Sequence, residues 1–200
     1  MTIDRDCNER SIDILMTGLS QMPQLIDLNI WALHVKSAIN CNQLKQIGVN
    51  CGQLKRLSLN ASIHSCELMS QFIQTMNANF KQLKRLQLDG GYPKEFVFSS
   101  ESLSECKRLT YFTLIPWTRS VRSAEDFTRD VDQHLPRIQY IKMMRGTDIT
   151  DTVLNSLAKL PGLRYIDFYG CDLKGTEQAI HNLIANCPKI ICFIADKKYV

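Results

Sequence analysis

Eight cysteines and four histidines are the side chains of this 200-residue sequence best suited to metal ligation or nucleophilic attack. Their spacing supports neither. Cys7, Cys41, Cys51, Cys66, Cys106, Cys171, Cys187 and Cys192 contain no CxxC pair and no nearby CxH pair, so zinc-ligand spacing is missing. His34, His64, His134 and His181 are scattered, and no HExxH, GxSxG or phosphate-cradling glycine loop appears. Gly90-Gly91, the one glycine pair, reads as a turn. No enzyme activity, metal or cofactor is expected, and the thiols read as small buried hydrophobes in a reducing compartment. What remains is the chemistry of contact. Two copies of Leu-Lys-Arg-Leu set Arg56 and Arg85 29 residues apart, and Tyr111, Tyr140 and Tyr165 follow at steps of 26, 29 and 25. Guanidinium groups beside large rigid rings are the material of protein-binding surfaces. Residues so far apart act together only if the fold brings them into register.

The elements that would do so repeat. LxxLxL, with Ile, Phe, Met and Ala as substitutes, occurs at LIDLNI, LKRLSL, LKRLQL, LTYFTL, IQYIKM, LRYIDF and, weakly, IICFIA, starting at Leu25, Leu54, Leu83, Leu109, Ile138, Leu163 and Ile190. The steps of 25–29 residues lie inside the period of leucine-rich repeats. Three residues before each start stands an apolar residue: Met22, Cys51, Phe80, Cys106, Leu135, Leu160 or Cys187. Ahead of most of these, apolar residues fall at helical spacing: Asp13 to Leu19, Leu68 to Met76, Thr152 to Leu160 and Gln178 to Ala185. The segment NQLKQIGVN imitates the strand motif, but Leu44, Ile47 and Cys51 lie at i, i+3 and i+7, so it reads as a helix. The expectation is a single domain over residues 1–200: a right-handed α/β solenoid of seven repeats. Its parallel strands lie near 25–30, 54–59, 83–88, 109–114, 138–143, 163–168 and 190–195, on a concave face with helices behind. A first helix near Arg10 to Ser20 and the charged ADKKYV would close the ends.

Composition fits this. With 44% hydrophobic residues there is ample core, and a net charge of +4 is too weak by itself to imply nucleic acid. No apolar run reaches the roughly 20 residues of a membrane span, and the polar opening MTIDRDCNER is not a signal peptide. A cytoplasmic or nuclear protein is expected, and the lone sequon Asn60-Ala61-Ser62 is read as chance.

The helix residues LKQIGVNC running into GQLKRLSLN, with YIDFYGC ahead of DLKGTEQAIHNLIANCPKI, resemble the cysteine-containing leucine-rich repeats of F-box proteins. The resemblance covers nearly the whole chain. It departs from the pattern after the strands, where only Cys171 keeps the cysteine and Ser62, Gly91, Trp117 and Gly146 replace it. It implies the substrate-receptor part of a cullin-type ubiquitin ligase, with the ligase adaptor as a partner only if an F-box lies upstream of residue 1. The alternatives are a stand-alone scaffold or inhibitor and, more weakly, an RNA-binding repeat protein.

Alternation along each strand sends every second side chain to the open face. The first outward column reads Asp27, Arg56, Arg85, Tyr111, Tyr140, Tyr165, Cys192; the second reads Asn29, Ser58, Gln87, Thr113, Lys142, Asp167, Ile194. The third reads Trp31, Asn60, Asp89, Ile115, Met144, Tyr169, Asp196. The expected protein-binding residues are Trp31, Arg56, Arg85, Tyr111, Tyr140, Lys142, Met144, Tyr165, Asp167 and Tyr169, set against the bland reading that tyrosines are good strand formers. Lys55, Arg56, Lys84 and Arg85 form a basic patch suited to an acidic peptide, a phosphate or RNA, or simply to solvent. The irregular segments 89–102 and 115–126 carry Tyr92, Phe96, Phe98 and Trp117, which either reach the rim or fold back over the core.

Overall fold

The structure, a computed structural model, describes residues 2–3, 14, 16–32, 41–61, 66–91, 97–116, 123–144 and 147–195. Its frame is one parallel sheet. Strands β1 (Thr2–Ile3), β2 (Asp27–Ala32), β3 (Arg56–Ala61), β4 (Arg85–Gly90), β5 (Tyr111–Pro116) and β6 (Tyr140–Met143) follow in chain order. The strand β7 (Asp148–Ile149) stands aside, β8 (Tyr165–Phe168) pairs with β6, and β10 (Cys192–Ala195) pairs with β8. Between the last two, β9 (Asp172–Leu173) pairs with β7 in a separate two-stranded sheet.

The strands begin two residues later than the motif suggests, for a visible reason. In each unit the first motif residue gives its backbone N–H to the apolar residue three positions earlier: Leu25 to Met22, Leu54 to Cys51, Leu83 to Phe80, Leu109 to Cys106, and so on to Ile190 and Cys187. That residue therefore closes a tight turn, and the ladder starts at the outward residue two places on. The two-residue strand β1 and the β7–β9 pair are additions that no sequence pattern marked.

Helices fill the crossovers: α1 (Cys41–Asn50), α2 (Cys66–Asn79), a 3-10 turn (Ser100–Leu103), α3 (Ser123–Thr128), α4 (Val131–His134), α5 (Asp151–Leu157) and α6 (Glu177–Asn186). The segment NQLKQIGVN lies inside α1. At the N-terminal side only Ile14 and Met16–Leu19 are described as helical; the rest of the expected 10–20 helix and residues 196–200 of the last segment lie outside the described residues. One core joins the inward strand residues, such as Leu57, Leu86, Phe112, Ile141 and Ile166, to the apolar helix faces: Leu44 and Ile47, Phe72 and Met76, Val153 and Leu157, Leu183. The described helices therefore cover one face of the sheet, and among the described residues the other face is open.

The cysteines belong to this stack. Cys51, Cys106, Cys171 and Cys187 are buried and unpaired. The Cys51 thiol donates to Leu19 O (3.4 Å), Cys171 to Met143 O (3.2 Å) and Cys187 to Leu160 O (3.2 Å), each a carbonyl of the preceding unit. Cys7 and the side chain of Cys41 lie outside the described residues, and among those described no cluster of His, Cys, Asp or Glu could hold a metal ion. Asn60 of the sequon is 6% exposed and donates to Asp89, an environment closed to a glycan. No described helix is long and apolar enough to cross a membrane.

Candidate functional site

Strand pairing places the open-face residues in rows. Asp27, Arg56, Arg85, Tyr111, Tyr140, Tyr165 and Cys192 are successive register partners, and so are Asn29, Ser58, Gln87, Thr113, Lys142, Asp167 and Ile194. A parallel ladder in fixed register puts like positions about 4.8 Å apart, close enough for rings to meet.

They do meet. The Arg85 guanidinium carbon lies 4.0 Å from the centre of the Tyr111 ring. Tyr111 stacks on Tyr140 at 4.0 Å and 12°, and Tyr140 leans on Tyr165 at 5.7 Å and 37°. The result is a continuous ladder across four strands, with Tyr165 40% exposed at its end. Arg56, on the other side of Arg85, pairs through Nε with Asp27 at 2.6 Å.

The second row is more enclosed than alternation implies. Lys142 Nζ donates to Asp167 Oδ2 at 2.6 Å, and Asp167 Oδ1 accepts the backbone N–H of Tyr169 at 3.0 Å. Asp167, expected among the exposed binding residues, is only 8% exposed, because the lysine lies beside it and the turn after β8 folds onto its carboxylate. Thr113 is likewise buried. In the third row Met144 is half-buried just past β6 and Tyr169 is exposed in the turn after β8. Trp31 is in β2, but its side chain is outside the described part, as are Asp196, Tyr92, Phe96 and Trp117. Phe98 folds back into the core and stacks on Phe112 and Phe127.

Where the strands begin, a groove of about 560 Å³ opens along the edge of the sheet. Its wall is the ladder, Arg85 with Tyr111, Tyr140 and Tyr165; its rim is the residue just ahead of each strand: Lys55, Lys84, Thr110, Gln139 and Arg164. Arg56 completes it, and among the described residues no acidic side chain lines it. The LKRL pair makes Lys55 and Lys84 visible in the sequence. Arg164 holds the same place in LRYIDF, but there it has no basic neighbour to draw attention to it.

One serine–histidine pair occurs among the described residues. Ser100 Oγ donates to Arg129 O at 2.9 Å and lies 3.0 Å from His134 Nδ1. With the hydroxyl hydrogen on that carbonyl, the imidazole is the donor, so the serine has no base to activate it, and it is fully buried. The pair ties the 3-10 turn to α4.

Parallel strands in one sheet, helical or 3-10 segments in the crossovers and a turn bond repeated in phase define a leucine-rich-repeat α/β solenoid. No protein-family model matches the sequence, and no curated protein matches it either. Among solved structures it is similar to mouse RP105 in the RP105/MD-1 complex, with 18% identity, 80% of this chain and 25% of that chain covered, and a TM-score of 0.46. It thus spans a quarter of that chain's length. It is also similar to the Caenorhabditis elegans tropomodulin C-terminal domain, with 10% identity, 89% and 92% covered, and a TM-score of 0.43. The leucine-rich repeat domain of APL1B gives 11% identity, 90% and 66% covered, and a TM-score of 0.37.

Proposed function

We propose that this chain recognises a protein partner through the open face of its sheet, with the Arg85–Tyr111–Tyr140–Tyr165 ladder as the anchor. The observation that carries the reading is the ladder itself: a row of rings and a guanidinium held in register on a face that no described helix covers. Preformed aromatic and arginine groups gain contact area on binding with little further loss of side-chain freedom. The six described cysteines are free, four of them buried in the stack, and this supports a cytoplasmic or nuclear setting. The resemblance of the repeats to those of F-box proteins supports the finer role of substrate receptor in a cullin-type ubiquitin ligase. In that role the open face holds the target, and an F-box upstream would hold the adaptor.

The test is capture from cells by the tagged full gene product and by Tyr165→Ala, the least buried ring of the ladder. The variant is expected to lose the leading partner, with affinity down by about 2 kcal/mol or more, while its melting temperature stays near that of the parent. Unchanged capture would remove the ladder from the binding role. The ligase adaptor in the captured set supports the receptor role; its reproducible absence with a ladder-dependent partner favours a free-standing scaffold.

A further inference from the structure

We infer that the groove at the strand-start edge takes an extended acidic segment of the partner protein, about six residues long. The inference rests on the reading of the open face as a protein-recognition surface and names the chemistry of what lies beside the ladder.

Charge comes first. Lys55, Arg56, Lys84, Arg85 and Arg164 line the groove, and among the described residues no carboxylate does. Among the described residues Lys55, Lys84 and Arg164 make no ion pair, while Arg56 reaches Asp27 through Nε alone. Arg85 meets Tyr111 through its π face, a contact that leaves the N–H edges of the guanidinium to bond an oxyanion. The cations are concentrated on β3 and β4 at one end and return with Arg164 ahead of β8 at the other, with neutral Thr110 and Gln139 between. Such a pattern suits carboxylates at both ends of a segment and polar contact in its middle.

Length follows from the sheet. From β3 to β8 are four strand spacings of about 4.8 Å, roughly 19 Å in all, which an extended chain rising about 3.3 Å per residue covers in about six residues. A single small anion would leave one end of the groove unmatched.

A nucleic acid strand fits less well. Its affinity for such a surface comes from bases stacking on open ring faces. Here Tyr111 is covered by Arg85 on one side and Tyr140 on the other, and Tyr140 is flanked by Tyr111 and Tyr165. What remains open is the rim of cations, the ring edges and the outer side of Tyr165, so a strand of several bases would find one ring face at most to stack on.

The experiment is fluorescence anisotropy on the purified full chain at low salt, with a labelled peptide of six glutamates, a matched six-glutamine peptide and a labelled oligouridine. The glutamate peptide is expected to bind, to weaken as salt rises, and to lose about tenfold or more in affinity to the Lys84→Gln/Arg164→Gln variant. Lys107→Gln/Arg137→Gln, outside the groove, is expected to change it little. Four results would overturn the inference: no preference for glutamate over glutamine, no loss in the groove variant, an equal loss in the control variant, or tighter binding of oligouridine. If the peptide fails to bind while partner capture still depends on Tyr165, this inference falls and the open-face reading stands. If the peptide binds with the expected charge dependence while capture ignores Tyr165→Ala, the acidic-segment site stands without the ladder.

Discussion

Tyr140 lies between two other rings, and its surroundings oppose loss of its proton. Burial raises the phenol above its ordinary 10.0, hydrogen bonding to Tyr111 and the charges of Tyr111 and Asp167 add to this, and Arg85 pulls the other way. Tyr140 therefore keeps its hydroxyl hydrogen well into alkaline solution and meets a partner as a donor. The buried thiols obey the same physics. Burial pushes Cys106 from 9.0 up to about 11 and Cys171 up to about 12. For an acid whose folded pKa is raised, the folded state holds the proton longer than the unfolded state. The stability is thus fully present below pH 9.0 and is lost as pH rises from 9.0 through about 11 for Cys106 and about 12 for Cys171, by about 1.4 kcal/mol per pH unit for each group between its two values. Thiolate is the reactive form, so at pH 8 an alkylating agent is expected to label half-buried Cys66 and Cys192 first, and Cys106 and Cys171 only in urea. Peptide mapping after timed alkylation checks this, and labelling of Cys106 as fast as Cys192 would contradict the packing described.

Helices α1 and α2 depend on a close approach between neighbouring repeats. A Cβ placed on Gly48 in α1 would overlap the Cβ of Asn79 at the end of α2, and that atom is fixed to its backbone. Gly52, in the turn after α1, has nothing within 4 Å of the same added atom. Gly48→Ala is expected to destabilise by about 1–3 kcal/mol, despite alanine's better helix propensity, while Gly52→Ala stays within a few tenths of the parent. Urea unfolding of the two variants measures the difference, and equal midpoints would show that the helices can slide apart without cost. The helix itself was legible: Leu44, Ile47 and Cys51 recur at helical spacing, and all three are buried. The approach at Gly48 was not, because it depends on where the next repeat's helix ends.

Across the whole molecule, the rows of the open face were legible because the LxxLxL phase is kept from unit to unit, and strand pairing preserves that phase. Burial within the rows was not. Alternation sends Asp167 outward, yet Lys142 and the Tyr169 turn enclose it; the same alternation places three tyrosines in line without saying that each covers the next. The groove lies at the strand-start edge, where alternation makes no statement, and β7 and β9 are two residues each, too short to show a period. A stack of this kind is held by neighbour contacts, so a break in the middle divides it. The middle here is Phe127 of α3, fully buried and stacked 4.3 Å from Phe112 of β5 and 5.6 Å from Phe98 of the irregular segment. Phe127→Ala is expected to cost about 3–5 kcal/mol and to uncouple the two sides of the joint. In hydrogen exchange, amides of β6, β8 and β10 should lose protection while those of β3 and β4 keep theirs, whereas the parent protects β3 through β8 together. Uniform loss across every strand would mean that the sheet unfolds as a single unit, and that the phenylalanine cluster is one part of a shared core rather than the joint between two halves.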